Sequence, residues 1–196
     1  MSTAESGARL PANTALLIID LQHAIDDARW RKDGDRNNPQ AERNIATLLA
    51  AWRARGWPRI HVRHDSTFAD SPYRPGQPGN AFKVEAQPLA GELVIGKRTN
   101  SAFIGTNLEQ LLRSQGIGAL VVAGVITNNS VEATVRMAGN LGFTTFLAED
   151  AVFTFARRDR RGRLWNAEDV HALSIANMDG EYCSVLPTSE VVAAMA

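Results

Sequence analysis

The chain has 196 residues, 44% of them hydrophobic and 21% charged, which suits one globular domain with a sizeable core. Lysine plus arginine and aspartate plus glutamate both number 21, so no net field favours nucleic acid or an anionic membrane. The first twelve residues lack the regions of a signal peptide, no apolar run reaches membrane-spanning length, and the lone Cys183 excludes an intrachain disulfide or a CxxC motif, features that fit a cytoplasmic protein.

Residues 15–19 form a continuous apolar run that stops at Asp20, the mark of a strand buried on both faces of a parallel sheet. Residues 40–55 place Ile45, Leu48, Leu49 and Trp52 at helical spacing, and Gly56 stands where the helix would stop. A strand is predicted at 59–63. Residues 65–88 are rich in Pro, Gly, Ser and Asn without periodicity. A loop of that length inside a domain is usually functional or mobile, so it is expected to border the active site.

Residues 93–95 read as a short strand running into Gly96-Lys97, and 108–115 as a helix ended by Gly116. The most apolar strand is 119–125. A helix at 131–141, a strand at 144–147, a helix at 167–177, a strand at 182–185 and a helix from Ser189 complete the chain. Strands alternating with helices indicate an α/β fold with a doubly wound, mostly parallel sheet flanked by helices. A single domain is expected over 1–196, with 1–12 as a flexible N-terminal segment. The basic stretch 157–163, interrupted by Asp159 and Gly162, reads as a solvated loop.

In open parallel sheets ligands bind beyond the carboxyl ends of the strands. Asp20, Lys97 and Ser130 all fall there. Each alone has an ordinary structural role, as a turn residue, an exposed lysine and a helix cap. Together they would line one crevice. Asn129 and Glu132 have the spacing of a helix N-cap and its third residue, which puts Ser130 in a first helical turn. Free N–H groups and the helix dipole there would lower a cysteine's pKa and help hold an oxyanion.

Leu17-Ile-Ile-Asp20-Leu-Gln22, Gly96-Lys97 and Gly124-Val-Ile-Thr-Asn-Asn-Ser130-Val-Glu-Ala-Thr134 resemble the three signature segments of the isochorismatase-like cysteine hydrolases. The likeness extends to Ser101-Ala-Phe103, to Arg136 through Phe143 and to Asp150-Ala151, in order over nearly the whole chain. It implies that family's three-layer sandwich, with Asp20 and Lys97 as catalytic residues and Ser130 in the seat of the nucleophilic cysteine. It also implies a cis peptide bond between Val125 and Ile126, with the N–H groups of Ile126 and Ser130 as the oxyanion hole. The implied reaction is hydrolysis of a C–N bond in a small amide, ureide or carbamoyl compound through an acyl-enzyme.

Serine is a poor occupant of that seat, because its hydroxyl is far less acidic than a thiol and no histidine lies beside it in sequence. Three accounts of it stand: a replaced cysteine, cysteine-independent chemistry such as the vinyl-ether cleavage of isochorismatases proper, or a binding protein without turnover. Gln22, His64, Phe82, Asn100 and Asn128 are candidate substrate contacts, the two aromatic or imidazole rings as walls and the amides as hydrogen-bonding groups. Phe103 reads more readily as core. His61 and His64 are three apart in a strand and point to opposite faces, so they make poor co-ligands; no metal and no cofactor is expected. Cys183 and His171 read as structural. The expected partners are a small-molecule substrate and, from family habit, further copies of the chain in a dimer or larger homo-oligomer.

Overall fold

The computed structural model describes residues 9–195. In chain order its elements are β1 (Ala15–Ile19), α1 (Ala41–Arg55), β2 (Arg59–His64), β3 (Leu93–Lys97), α2 (Leu108–Ser114), β4 (Ala119–Val125), α3 (Glu132–Asn140), β5 (Thr144–Phe153), β6 (Arg157–Arg158), β7 (Leu164–Trp165), α4 (Ala167–Ala176), β8 (Ser184–Leu186) and α5 (Thr188–Ala193). Six strands make one parallel sheet in the order β3-β2-β1-β4-β5-β8. The order reverses between β1 and β4, so a crevice opens at the ends of those two strands. Among the described residues no helix is long and apolar enough to cross a membrane.

The alternation along β1 explains the layers. Leu16 and Ile18 join the core that contains Ile45, Leu48, Leu49 and Trp52 of α1. Leu17 and Ile19 face the other way, into the core of Leu108 and Leu112 of α2 with Val131 and Val135. All five β1 residues are buried, as a strand between two helix layers requires. Helix α1 ends at Gly56, whose φ of 66° lets its N–H reach Arg53 O and Trp52 O.

Four expectations need correction. Strand β5 runs to Phe153 rather than stopping near Leu147, because its pairing with β4 jumps from Val122–Leu147 to Gly124–Val152. The intervening Glu149 and Asp150 break the apolar run while the strand continues. The last strand begins at Ser184, two residues later than predicted. The basic stretch 157–163 opens with β6, which pairs with β7 just beyond its end as an antiparallel ribbon, rather than forming a plain loop. Of the proposed flexible N-terminal segment, residues 1–8 lie outside the described residues, but Leu10 is buried and its N–H donates to Ala194 O at 2.7 Å.

Gly124 has a φ of 118°, and a Cβ there would sink into the backbone of Ile19 on β1. Neither the conformation nor the space admits a side chain. Gly124→Ala is expected to lose at least about 3 kcal/mol of stability, read as a shift in the urea unfolding midpoint.

Candidate active site

Three segments converge at the switch point. Asp20 follows β1 with a left-handed φ of 52°, a conformation aspartate tolerates better than most residues. Its N–H donates to Val62 O at 2.9 Å, and its own carbonyl accepts from Gln22 N at 2.8 Å. Lys97 is the last residue of β3 and is only 1% exposed. Its Nζ donates to Asp20 Oδ2 at 2.6 Å, to Thr99 O at 3.0 Å and to Ser130 Oγ at 3.2 Å. The lysine therefore touches both other residues at once.

Ser130 lies in a wide helical turn, Thr127–Val131, that leads into α3. Ile126 O accepts the N–H groups of Asn129 at 3.0 Å and Val131 at 3.3 Å, and Ser130 O accepts Thr134 Oγ1 at 2.7 Å. Asn129 is thus not a helix cap. Glu132 does not reach back either; it pairs with Arg136 and accepts from Ser174 Oγ at 2.6 Å. The expected capping box is not formed, because the helical path begins earlier, after Ile126. The Val125–Ile126 peptide bond is cis.

A cavity of about 200 Å³ opens over this cluster. Asp20, His64, Asn100, Ile126 and Ser130 line it, as do Trp30, Phe68, Tyr73 and Asn129. Burial raises the Asp20 carboxyl above the ordinary range for aspartate, against the opposing pull of Lys97. Burial lowers His64. Asp20 Oδ1 and His64 Nδ1 are buried without a hydrogen-bond partner among the described residues, so the wall offers two polar atoms to a ligand.

The other predicted contacts lie elsewhere. Gln22 is fully buried and is spent on backbone: its Nε2 donates to His64 O at 3.1 Å and Asn80 O at 2.8 Å, and its Oε1 accepts from His64 N at 2.8 Å. Phe82 pairs with Gln22 as an isolated bridge and packs edge-on against His61, outside the cavity wall. Asn128 turns away and accepts from Thr154 Oγ1 at 2.6 Å; its neighbour Asn129 faces the cavity instead. Phe103 is buried in the core against Phe143. Cys183 is buried, its thiol pushed up to about 12 by burial, which makes it an inert thiol. His171 is buried in α4, where its Nδ1 meets Thr127 Oγ1 at 3.2 Å.

Trp30, Phe68 and Tyr73 were not expected. Trp30 is held by Nε1–H to Ala24 O at 2.8 Å and by ring contacts with Tyr73 and Phe155. Phe68 and Tyr73 come from the aperiodic 65–88 segment, which also lines the cavity with Ser66 and Ser71 and meets Gln22 through Asn80 and Phe82. Gln22→Leu is expected to destabilise the fold by roughly 3 kcal/mol, since it strands a buried N–H and weakens two carbonyls. The denaturant midpoint reads it.

The isochorismatase domain model matches residues 14–185. YrdC of Bacillus subtilis, an isochorismatase family protein, is 40% identical over 178 residues, which span 91% of this chain and 94% of that protein. The ureidoacrylate amidohydrolase RutB of Agrobacterium fabrum is 28% identical over 177 residues, spanning 72% of this chain and 76% of its own. A crystal structure of an isochorismatase-family protein from Chromobacterium violaceum is 60% identical, with a TM-score of 0.91 over 95% of this chain and 96% of that one. The family model over residues 14–185, a relative 40% identical along nearly the whole chain and a matching fold lead to one assignment: the chain belongs to the isochorismatase family of hydrolases.

Proposed function

We propose that this protein hydrolyses the C–N bond of a small amide, ureide or carbamoyl compound through an acyl-enzyme formed at position 130. The observation that carries the reading is the contact of Lys97 Nζ with both Asp20 Oδ2 and Ser130 Oγ. The likeness to an amidohydrolase, RutB, supports it.

In this reading the group at position 130 attacks the carbonyl carbon and gives its proton to Asp20. The N–H groups of Ile126 and Ser130 receive the developing oxyanion. Asp20 passes the proton to the nitrogen as the C–N bond breaks. Water then adds to the acyl carbon, releasing the acid and restoring the nucleophile. Lys97 opposes the protonation that burial favours at Asp20 and holds the nucleophile beside it. Cysteine suits this seat, so serine at 130 is read as standing in place of it.

A second reading has its own support. Burial raises Asp20, which favours a protonated carboxyl able to act as an acid. Cleavage of a vinyl ether needs that acid and no thiol. Turnover of small amides and ureides by the Ser130→Cys variant, followed by ammonia release, separates the two. The gain must vanish when Asp20→Ala is added.

A further inference from the structure

We propose that the outer face of α4 docks a second copy of the chain, with the arginine-rich ribbon of each copy seated over an acidic groove of the other. The groove shares no residue with the cavity over Ser130, so the contact stands or falls apart from the reaction there.

Helix α4 is built inside out. Its buried residues are Ala167, His171 and Ser174. The two polar ones are satisfied inside: His171 Nδ1 meets Thr127 Oγ1 at 3.2 Å, and Ser174 Oγ donates to Glu132 Oε2 at 2.6 Å. The outer face carries Ala172, Leu173 and Ala176, all exposed, Leu173 by 61%. No Asp, Glu, Lys or Arg occurs from Val170 to Met178. A helix at a protein surface normally turns charge outward and apolar side chains inward. Polar inward and apolar outward is the pattern of a helix with a further layer of protein over it.

Charge at the two flanks of this face identifies the layer. The ribbon that precedes α4 holds five arginines in the seven residues 157–163. Arg160 and Arg161, in the turn between β6 and β7, are exposed and pair with no acid among the described residues. On its other side α4 borders a groove of about 540 Å³, lined by Glu149, Asp150, Glu168 and Asp179 and by no lysine or arginine among the described residues. Burial, and then the crowding of Asp150, Asp179, Glu190 and Glu168, pushes the Glu149 carboxyl up, as negative charge without a counter-charge does. The chain as a whole is neutral, with 21 cationic and 21 anionic side chains, so the charge is segregated rather than in excess. Opposite patches on one surface are complementary to a copy of that surface. A two-fold axis makes such a contact twice, each residue meeting its opposite in both directions. Crossing α4 over the α4 of the copy in the opposite direction brings the two Leu173 faces together. It also carries each ribbon, at the N-terminal end of one helix, toward Asp179 beyond the C-terminal end of the other and the groove beside it.

Light scattering on a sizing column tests this, one chain having a mass of 21.3 kDa. At low salt and up to about 100 µM chain, where contacts of micromolar strength are filled, the unmodified chain is expected to run at twice that mass. Leu173→Glu, made on an exposed side chain, should return it to the mass of one chain. So should Arg160→Glu with Arg161→Glu, and so should Glu149→Lys. Mixing the ribbon variant with the groove variant should restore the doubled mass. In the mixed pair both contacts are complementary again, glutamate on lysine at one and arginine on glutamate at the other. Glu168→Lys, on an exposed residue, carries the mixing test if Glu149→Lys does not fold. If the unmodified chain forms a larger assembly, Leu173→Glu should halve its mass.

A single-chain mass for the unmodified chain overturns the proposal and leaves the face to a different protein. An assembly that Leu173→Glu or the ribbon variant leaves intact also overturns it, as does a mixture that stays at the mass of one chain.

Discussion

Ser130→Cys is expected to raise kcat/KM for a small amide or ureide by roughly a thousandfold, the rate equivalent of about 4 kcal/mol of barrier. The reason lies in one proton transfer. Asp20 must take the nucleophile's proton, and an ordinary thiol with a pKa of about 8.5 is far nearer to a carboxylic acid than a hydroxyl is. The site closes the remaining gap from both ends. Burial raises Asp20, which makes it the stronger base. Lys97 Nζ stands 3.2 Å from the atom at position 130, where a cation favours a thiolate. An alkoxide gains from the same lysine but starts too far uphill. Steady-state ammonia release from small amides and ureides gives the number. No gain with Ser130→Cys would sink the amidase reading. If isochorismate turnover then survived Ser130→Ala and disappeared with Asp20→Ala, the vinyl-ether chemistry would replace it.

The parts of this site that were readable in the sequence are those fixed by the sheet. Asp20 follows β1, Lys97 ends β3 and Ser130 follows β4. An unbroken apolar run such as 119–125 announces its own end, and in a parallel sheet the end is where chemistry sits. The same logic failed at β5, where Glu149 and Asp150 made a ten-residue strand read as four residues. The cavity walls were harder. Whether an amide faces a ligand or a backbone depends on what the chain does many residues away, and Gln22 meets the backbone of His64 and Asn80. Asn128 and Asn129 look alike in sequence. The wide turn after Ile126 sends the first to Thr154 and the second into the cavity. Trp30, Phe68 and Tyr73 lie in segments without periodicity, so no pattern could assign them a face.

Those walls act on the same pair of charges that the strands position, and the pair carries the second large effect. Lys97→Met should destabilise the protein by about 4 kcal/mol at pH 7, within the roughly 3–5 kcal/mol lost when one partner of a buried ion pair is removed. The lysine side chain is wholly buried and its partner nearly so, at 0% and 5% exposure. Without the cation, Asp20 rises still further above its ordinary range, since Lys97 is the main influence holding it down against burial. Protonation then limits the damage. Holding a carboxyl neutral at pH 7 against an unfolded-state pKa of about 3.9 costs about 1.36 kcal/mol per unit, or roughly 4 kcal/mol in all. The sign follows from the direction of the shift. A carboxyl raised in the folded state releases its proton earlier on unfolding, so the penalty grows with pH above the unfolded value and levels off above the folded one. In the pH range between the parent's raised Asp20 and the variant's still higher one, acidification should therefore restore the variant relative to the parent chain by up to about 1.4 kcal/mol per unit. Asp20→Asn with Lys97→Met removes both charges at nearly constant volume and should recover most of the loss. Denaturant melts of the single and double variants across that pH range measure both effects. A penalty independent of pH, or a double variant no more stable than Lys97→Met, would mean that lost packing of the long lysine stem, not the stranded carboxylate, governs this site.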